Sequence, residues 1–363
     1  MSVLRDVGRS YMSFRGRQPT LGFAAFILGV IASSVAFIAP AAADSQPGCA
    51  ISNTRTHKGY SALQQAIDAA KAGDTLEIKG TCVGNTSIDR DITLRGVTNK
   101  AFPGTVTLDG GKQGTVLTIN GGTTTVQSLT ITNGQTSSSG GGIYLATAAV
   151  LVDVVVTGNT ADATRFGGGI EADLGSSLTL INSTVSGNSA GSSGGIDMFR
   201  AKASLTNSVV SGNHATRTPG PNVDGCGFGD PAVVYACAGG IWNYQGSLAL
   251  INSTVSANSA GYRGGGLATY VRLFTDGTPR SGLTTLSGAT SISANTAGDS
   301  GGGIFLVNPV AAPAFGVRAA DGTSTYKDPI SGATLPVWTG SVSGNSPDQC
   351  SPVLTIGGTT CGA

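Results

Sequence analysis

The chain has 363 residues, of which 11% are charged, and its formal net charge is +1. A typical soluble domain has about 25% charged residues. Affinity for phosphate backbones comes from concentrated Lys and Arg. The sequence contains no such basic cluster, so we expect no nucleic-acid partner. Glycine is heavily used, with 56 residues, which favours short elements joined by tight turns.

The first 43 residues have the pattern of an export signal. Basic residues precede an apolar run over residues 21–39, and small residues follow it up to Ala43. We expect cleavage after Ala43, so that residues 1–43 are a signal peptide and the mature protein is secreted or held at the cell surface. An apolar run of this length can also span a bilayer, so an uncleaved N-terminal membrane anchor is the alternative.

An amphipathic helix is predicted near the start of the mature chain, within residues 60–74. Leu63, Ala66, Ile67 and Ala70 would share its apolar face, and Gly73 would end it.

All six cysteines lie beyond the signal segment, and an even number in an exported chain favours disulfides. Six cysteines allow 15 connectivities. Proximity in sequence suggests the pairs Cys49–Cys82, Cys226–Cys237 and Cys350–Cys361. We expect no metal and no cofactor, because the chain has no CxxC pair and its two histidines lie far apart.

An internal repeat is the strongest pattern in the chain. Segments 178–190, 203–215 and 248–260 are near copies of one unit, which reads Asn-Ser-Thr-Val-Ser-Gly-Asn-Ser-Ala at 182–190. A second block, Gly-Gly followed by Ile or Leu, recurs every 26 or 27 residues where no insertion intervenes. The β-branched runs predict short strands. Such a unit cannot bury its apolar face alone, so successive units must stack.

Stacking places equivalent positions of successive units about 4.8 Å apart. One apolar column of the resulting core is Val156, Val185, Val210, Val255, Ile292 and Val342. A column of asparagines forms a ladder in which each amide bonds the next, so we assign it a structural role: Asn159, Asn188, Asn213, Asn258, Asn295 and Asn345. Insertions that break the period are expected to leave the stack as loops, between Asn213 and Gly239, Leu267 and Asn295, and Ile304 and Asn345.

The Gly-Gly-Ile blocks and the Asn-Ser-Thr-Val-Ser-Gly-Asn-Ser-Ala units resemble the repeats of polymorphic outer-membrane proteins and related bacterial proteins with a pectin-lyase-like β-helix. The resemblance covers roughly residues 60–350. It implies an all-β fold, a right-handed parallel β-helix or solenoid with an N-terminal capping helix. We expect an N-terminal segment at 44–59, the β-helix at 60–350 and a disulfide-closed C-terminal cap at 351–363.

Alternation along the Gly-Gly-Ile strands predicts an outward stripe of acids and aromatic rings. Its candidate glycan-binding residues are Tyr144, Glu171, Asp173, Asp197, Trp242, Tyr244 and Tyr270, with Phe199 and Phe305 beside them. Aromatic faces stack on sugar rings and carboxylates hydrogen-bond hydroxyls, so the stripe is a candidate glycan track. Aromatic side chains also favour strands for structural reasons alone, and that interpretation stays open.

Glu171 and Asp197 are the candidate catalytic pair. They should lie one coil apart, near the separation of about 5–5.5 Å that retaining glycosidases use. That spacing is common to any two residues on adjacent coils. The residue sets with which enzymes of this fold cut polysaccharides cannot be assembled here, because Arg200 and Lys202 lack a matching His and Asp pair.

We therefore expect a monomeric exported scaffold that acts in surface adhesion or binds a polysaccharide, a cell-surface glycan or another partner without catalysis. The alternative is a polysaccharide-active enzyme, a lyase or a glycoside hydrolase of the pectin-lyase-like fold.

Overall fold

The computed structural model describes most of the repeat region. The described residues are 48–218, 237–270, 272–273, 279–281, 284–307, 340–346, 350–351, 354–356 and 359–361, with side chains described over 48–218, 237–270, 284–305 and 341–346. The expected signal segment and the expected partner of Cys237, Cys226, lie outside these ranges. Within them, no helix has both the length and the apolar composition needed to cross a membrane.

Two long parallel arrays of strands begin at the same strand, Asp74–Val83, which pairs with both. Sheet 1 continues through Ile92–Gly96, Thr123–Gln127, Ala148–Val152, Ser177–Ile181, Lys202–Thr206, Ser247–Ile251 and Thr284–Ser287. Sheet 2 continues through Thr107–Asp109, Thr130–Thr132, Val155–Thr157, Thr184–Ser186, Val209–Ser211, Thr254–Ser256, Thr290–Ser293 and Gly340–Ser343.

Two further parallel arrays complete each repeat. Sheet 3 contains Thr86–Ile88, Leu117–Ile119, Ile143–Leu145, Ile170–Ala172, Ile196–Phe199, Ile241–Tyr244, Leu267–Tyr270, Ile304–Val307 and Cys350–Ser351. Sheet 4 contains Gln135–Thr136, Thr160–Ala161, Ser189–Ala190, His214–Ala215, Ser259–Ala260 and Thr296–Ala297. The Gly-Gly-Ile block supplies sheet 3, and the Asn-Ser-Thr-Val-Ser unit supplies sheet 2.

A complete repeat contributes one strand to each sheet, and we call the strands of one repeat a rung. In one rung, Ile170–Ala172 of sheet 3 is followed by Ser177–Ile181, Thr184–Ser186 and Ser189–Ala190. Equivalent residues of successive repeats are register partners: Val156 lies opposite Val185, and Val185 lies opposite Val210. The predicted all-β fold of parallel strands in stacked sheets is confirmed, an arrangement consistent with a parallel β-helix.

The apolar column of sheet 2 is part of one hydrophobic core, as predicted. Val185, Val210, Val255 and Ile292 are buried in it, and Val342 packs against it. Because no residue of this column is charged or polar, every added rung extends the same core.

The asparagine ladder is also confirmed. Nδ2 of Asn188 donates to Oδ1 of Asn213 at 3.0 Å, and Nδ2 of Asn159 donates to Oδ1 of Asn188 at 3.0 Å. The backbone N–H of Asn159 also donates to Oδ1 of Asn188, at 3.0 Å, and this second bond recurs at each ladder residue up to Asn295. The buried amides are therefore paired along the stack.

A buried hydroxyl ladder runs beside it, which the repeat alignment did not single out. Oγ of Ser183 donates to the carbonyl oxygen of Ile181 at 2.9 Å and accepts from the backbone N–H of Val154 at 3.1 Å. Ser208 and Ser253 repeat the pattern in later rungs. These hydroxyls satisfy backbone groups where the chain turns from sheet 1 to sheet 2.

The N-terminal end is built differently from the rungs. Strand Cys49–Asn53 pairs antiparallel with Asp74–Val83 and with Gly59–Tyr60. The predicted helix is present but short, Leu63–Ala69, and its predicted apolar residues Leu63, Ala66, Ile67 and Ala70 are buried. The predicted disulfide Cys49–Cys82 is confirmed.

The remaining cysteines are described only in part. Cys237 is disulfide-bonded, with its partner outside the described residues. Cys350 and Cys361 lie in described strands, and their side chains fall outside the described ones. Their pairing stays a prediction. At that end, Leu354–Ile356 pairs antiparallel with Thr359–Cys361.

The insertions do not disturb the register of the stack. Ile196 lies opposite Ile241 across the first, and Val255 lies opposite Ile292 across the second. The second insertion also holds a short antiparallel pair, Arg272–Leu273 with Pro279–Ser281, that belongs to no parallel sheet.

Candidate functional site

The outer side of sheet 3 carries the predicted acids and aromatic rings, and we call it the acid–aromatic face. Its first column is, in rung order, Tyr144, Glu171, Asp197, Trp242, Ala268 and Phe305. Its second column contains Phe199, Tyr244 and Tyr270, with Asp173 directly after the strand of Glu171. The alternation that placed these residues on one side of the sheet is therefore correct.

The expectation that all of them face solvent is wrong. Glu171 is 6% exposed, Asp197 3% and Trp242 2%, and Tyr270 and Phe305 are likewise buried. In contrast, Tyr144, Asp173, Phe199 and Tyr244 are half-buried. The first column is thus largely covered, and the accessible part of the face lies mainly along the second column.

The cover comes in part from the turns that lead from sheet 4 into sheet 3. At Gly264 a Cβ atom would lie 2.8 Å from the Cβ of Ala268, and at Gly301 it would lie 2.7 Å from the Cβ of Phe305. Both glycines have positive φ, 74° and 67°, which lets the chain double back over the strand that it enters. Alternation fixes the side of a sheet on which a side chain lies, and it does not reveal that a turn covers that side.

Aromatic residues of both columns and small neighbours form a second hydrophobic cluster outside the main core. It contains Ala238, Trp242, Ala268, Tyr270 and Phe305, with Tyr244 packed against it. Sheet 3 therefore has apolar packing on both sides, as strands of parallel sheets commonly do.

The two predicted catalytic carboxylates are neighbours in the register, Glu171 opposite Asp197. Desolvation raises the pKa of Glu171 well above its ordinary value, and the nearby charges of Asp197 and Asp173 raise it further. Desolvation also raises the pKa of Asp197 to about 7. A hydrogen bond from Ser193 Oγ to Asp197 Oδ2, at 2.5 Å, acts in the opposite direction and lowers it. Glu171 Oε2 is buried and has no hydrogen-bond partner.

The third carboxylate of the face is held by a phenol. Tyr144 donates a short hydrogen bond from its hydroxyl to Oδ2 of Asp173. This bond and partial burial raise the pKa of Tyr144 to about 12. The pair is half-buried, so it can present polar atoms to a ligand at the margin of the face.

The rings of the second column stack on one another. The centroids of Phe199 and Tyr244 are 5.3 Å apart at 12°, and those of Tyr244 and Tyr270 are 4.9 Å apart at 13°. Each stacked ring uses a flat side on its neighbour, so the column presents mostly ring edges. The stripe is therefore not a row of open ring faces of the kind that stacks on sugars.

Arginine at the edge of this column was not selected from the sequence as a binding residue. The Arg200 guanidinium lies 5.4 Å from the Phe199 ring centroid, and its Nε donates to Oε1 of Gln245 at 3.0 Å. Arg200 has positive φ, 51°, at the end of its strand. The signal that could have found it is its position directly after the outward Phe199.

Other chemistry is sparse in the described part of the chain. No group of three or more His, Cys, Asp or Glu side chains there could hold a metal ion. A cavity of about 530 Å³ lies at the N-terminal end, lined by Lys58, Tyr60 and Gln65 among others, and is not part of the acid–aromatic face.

Comparison with known proteins gives no match to a family model, a curated protein or a solved structure.

Proposed function

We propose that the chain is an exported right-handed parallel β-helix of the pectin-lyase-like architecture, with repeats of the polymorphic outer-membrane type. In this proposal the helix Leu63–Ala69 is the N-terminal cap. The protein acts as a non-catalytic, monomeric scaffold at the cell surface or outside the cell, and binds a polysaccharide or cell-surface glycan. The repeat-on-repeat register and the continuous core support the architecture.

Burial of Glu171 and Asp197 is the observation that supports a non-catalytic role. A retaining glycosidase needs an acid and a nucleophile that both touch the glycosidic bond. Glu171 and Asp197 are 6% and 3% exposed, so a sugar cannot reach both of them at once. Proximity and raised pKa values alone do not make a catalytic pair.

The accessible edge of the acid–aromatic face supports binding. Asp173 and Tyr144 offer a hydrogen-bonded carboxylate and hydroxyl, and the ring edges of Phe199 and Tyr244 offer apolar contact. Arg200 adds guanidinium donors beside Phe199. Apolar contact with a few fixed polar groups is the composition of glycan and small-ligand sites.

One set of variants can distinguish binding of a polysaccharide from its cleavage. The purified protein is incubated with a panel of polysaccharides, and both bound protein and released reducing ends or unsaturated sugars are measured. We expect binding to at least one glycan with no release. Phe199→Ala should weaken that binding about tenfold or more, since it removes a central apolar contact of the accessible edge of the acid–aromatic face.

Two controls make the result specific. Glu171→Gln should bind as the unaltered protein does, because its side chain lies beneath the accessible edge. Tyr60→Ala removes a half-buried ring at the N-terminal end, away from the face, and should also leave binding unchanged. Release of sugar that is lost in both Glu171→Gln and Asp197→Asn would replace this proposal with a polysaccharide-active enzyme.

A further inference from the structure

Glu171 and Asp197 form a buried pair of acids. They are register partners on adjacent strands, whose backbones lie about 4.8 Å apart. Among the described side chains, the ion pairs are Arg55–Asp74, Arg90–Asp89, Arg95–Glu77 and Arg263–Asp299, and none includes either member of the pair. Two ionised carboxylates in this position would repel each other in a desolvated site.

The described groups packed around the pair add no positive charge. On the preceding strand Tyr144 is the register partner of Glu171, and on the following strand Trp242 is that of Asp197. Asp173 follows the strand of Glu171, and its charge acts on both carboxyls. Ser193, in the turn before Asp197, donates one hydrogen bond.

One oxygen of the pair has no partner. Glu171 Oε2 is buried without a hydrogen bond, whereas Asp197 Oδ2 accepts from Ser193. A buried ionised carboxylate with an unpaired oxygen is strongly unfavourable, and such a group takes up a proton instead. A protonated Glu171 carries an O–H that can be donated towards Asp197 on the adjacent strand.

A bound metal ion is the other way to neutralise two carboxylates. Hard cations such as Ca²⁺ take six to eight oxygen ligands, usually from several carboxylates and carbonyls. The described side chains include no group of three or more His, Cys, Asp or Glu able to hold one. The geometry therefore favours a proton over a cation.

We propose that Glu171 and Asp197 share a proton in the folded protein, and that its loss as the pH rises destabilises sheet 3 around the pair. The site is then a built-in pH-sensitive lock, closed in acidic surroundings and weakened in alkaline ones. This inference concerns the buried column and holds whatever ligand the accessible edge binds.

The sign of the effect follows from linkage. The pKa of both acids is higher in the folded protein than in the unfolded chain, so the folded state holds more protons between those values. The stability that the pair contributes is full below the ordinary carboxyl range near pH 4. It is lost as the pH rises through the raised pKa values of the pair.

Thermal unfolding between pH 4 and pH 9 tests the lock. We expect the unfolding midpoint of the unaltered protein to fall between pH 5 and pH 8. Glu171→Gln keeps the shape of the neutral acid and an N–H donor, so its midpoint should change less with pH and exceed that of the unaltered protein at pH 8. Asp153→Asn is the control, because Asp153 is an exposed acid and the equivalent position in the next rung carries asparagine, Asn182.

Proton release measured by calorimetry in buffers of different ionisation enthalpy needs no variant. Unfolding of the unaltered protein at pH 6 should release protons, and no release would overturn the proposal. An equal pH slope in Glu171→Gln and the unaltered protein would overturn it as well. A rise of the midpoint at pH 8 on adding millimolar Ca²⁺, lost in Glu171→Gln, would show that a cation occupies the site instead.

Discussion

Asn188 shows how a single side chain serves three rungs at once. Its Oδ1 accepts from both the backbone N–H and the Nδ2 of Asn159, each at 3.0 Å. Its own Nδ2 donates to Asn213 Oδ1 and to the carbonyl oxygen of Val156, also at 3.0 Å. A residue with either donor or acceptor function alone could not fill this position, so the repeat requires the amide itself.

Asn188→Asp should therefore destabilise the protein by about 3 kcal/mol or more, because it removes both donations and buries a charge without a counterion. Its control is Asn182→Asp, at an exposed position whose column already contains Asp153. That variant should change the free energy of unfolding by about 0.5 kcal/mol or less. Denaturant unfolding of the two variants measures the difference. Equal losses would contradict the structural role of the ladder.

At the scale of a strand, two consecutive residues of Thr184–Ser186 meet opposite environments. Val185 is buried in the main core, and Ser186 lies on the outer side of sheet 2. The alternation seen in the sequence predicts both positions correctly. For sheet 3 the alternation gives the correct side of the sheet but not the burial. Gly264 and Gly301 bring turns onto the outer side of the strands that contain Ala268 and Phe305, and a spacing of two along the chain contains no information about such a contact.

Val185→Asp should cost about 4 kcal/mol or more of unfolding free energy, since it places an unpaired charge in the core column. Ser186→Asp is the matched control, because an earlier strand of the same outer column, Thr107–Asp109, carries Asp109. We expect that variant to unfold within a few degrees of the unaltered protein in thermal melts followed by circular dichroism. An unchanged melting temperature for Val185→Asp would contradict the inward position of this column.

At the scale of the whole stack, the repeat determines most of the fold, because each rung packs on the ones before and after it. Periodicity in the sequence was therefore sufficient to predict the parallel strands, the core column and the asparagine ladder. The site was predicted only in part. The residues on one side of sheet 3 could be identified, whereas their burial depends on contacts between turns and strands that no repeat spacing encodes.

The N-terminal end gives a test of this rung-by-rung coupling. The disulfide Cys49–Cys82 ties an antiparallel strand to Asp74–Val83 across 33 residues, and closing a loop of that length is worth about 3–4 kcal/mol in the chain-entropy description. In a stack with nearest-neighbour contacts, the double variant Cys49→Ser/Cys82→Ser should loosen the first rungs and leave later ones protected. Hydrogen exchange should accelerate within residues 48–96 and stay unchanged within residues 170–215.

The contrast with a single cooperative unit makes the experiment decisive. A domain that unfolds all at once would lose protection evenly, and exchange at 170–215 would accelerate as much as at 48–96. An effect limited to the first rungs would mean that the end of the stack can open while the acid–aromatic face around Asp173 and Phe199 stays intact. Ligand binding should then be retained in the double variant, since the proposed binding residues lie several rungs from the disulfide.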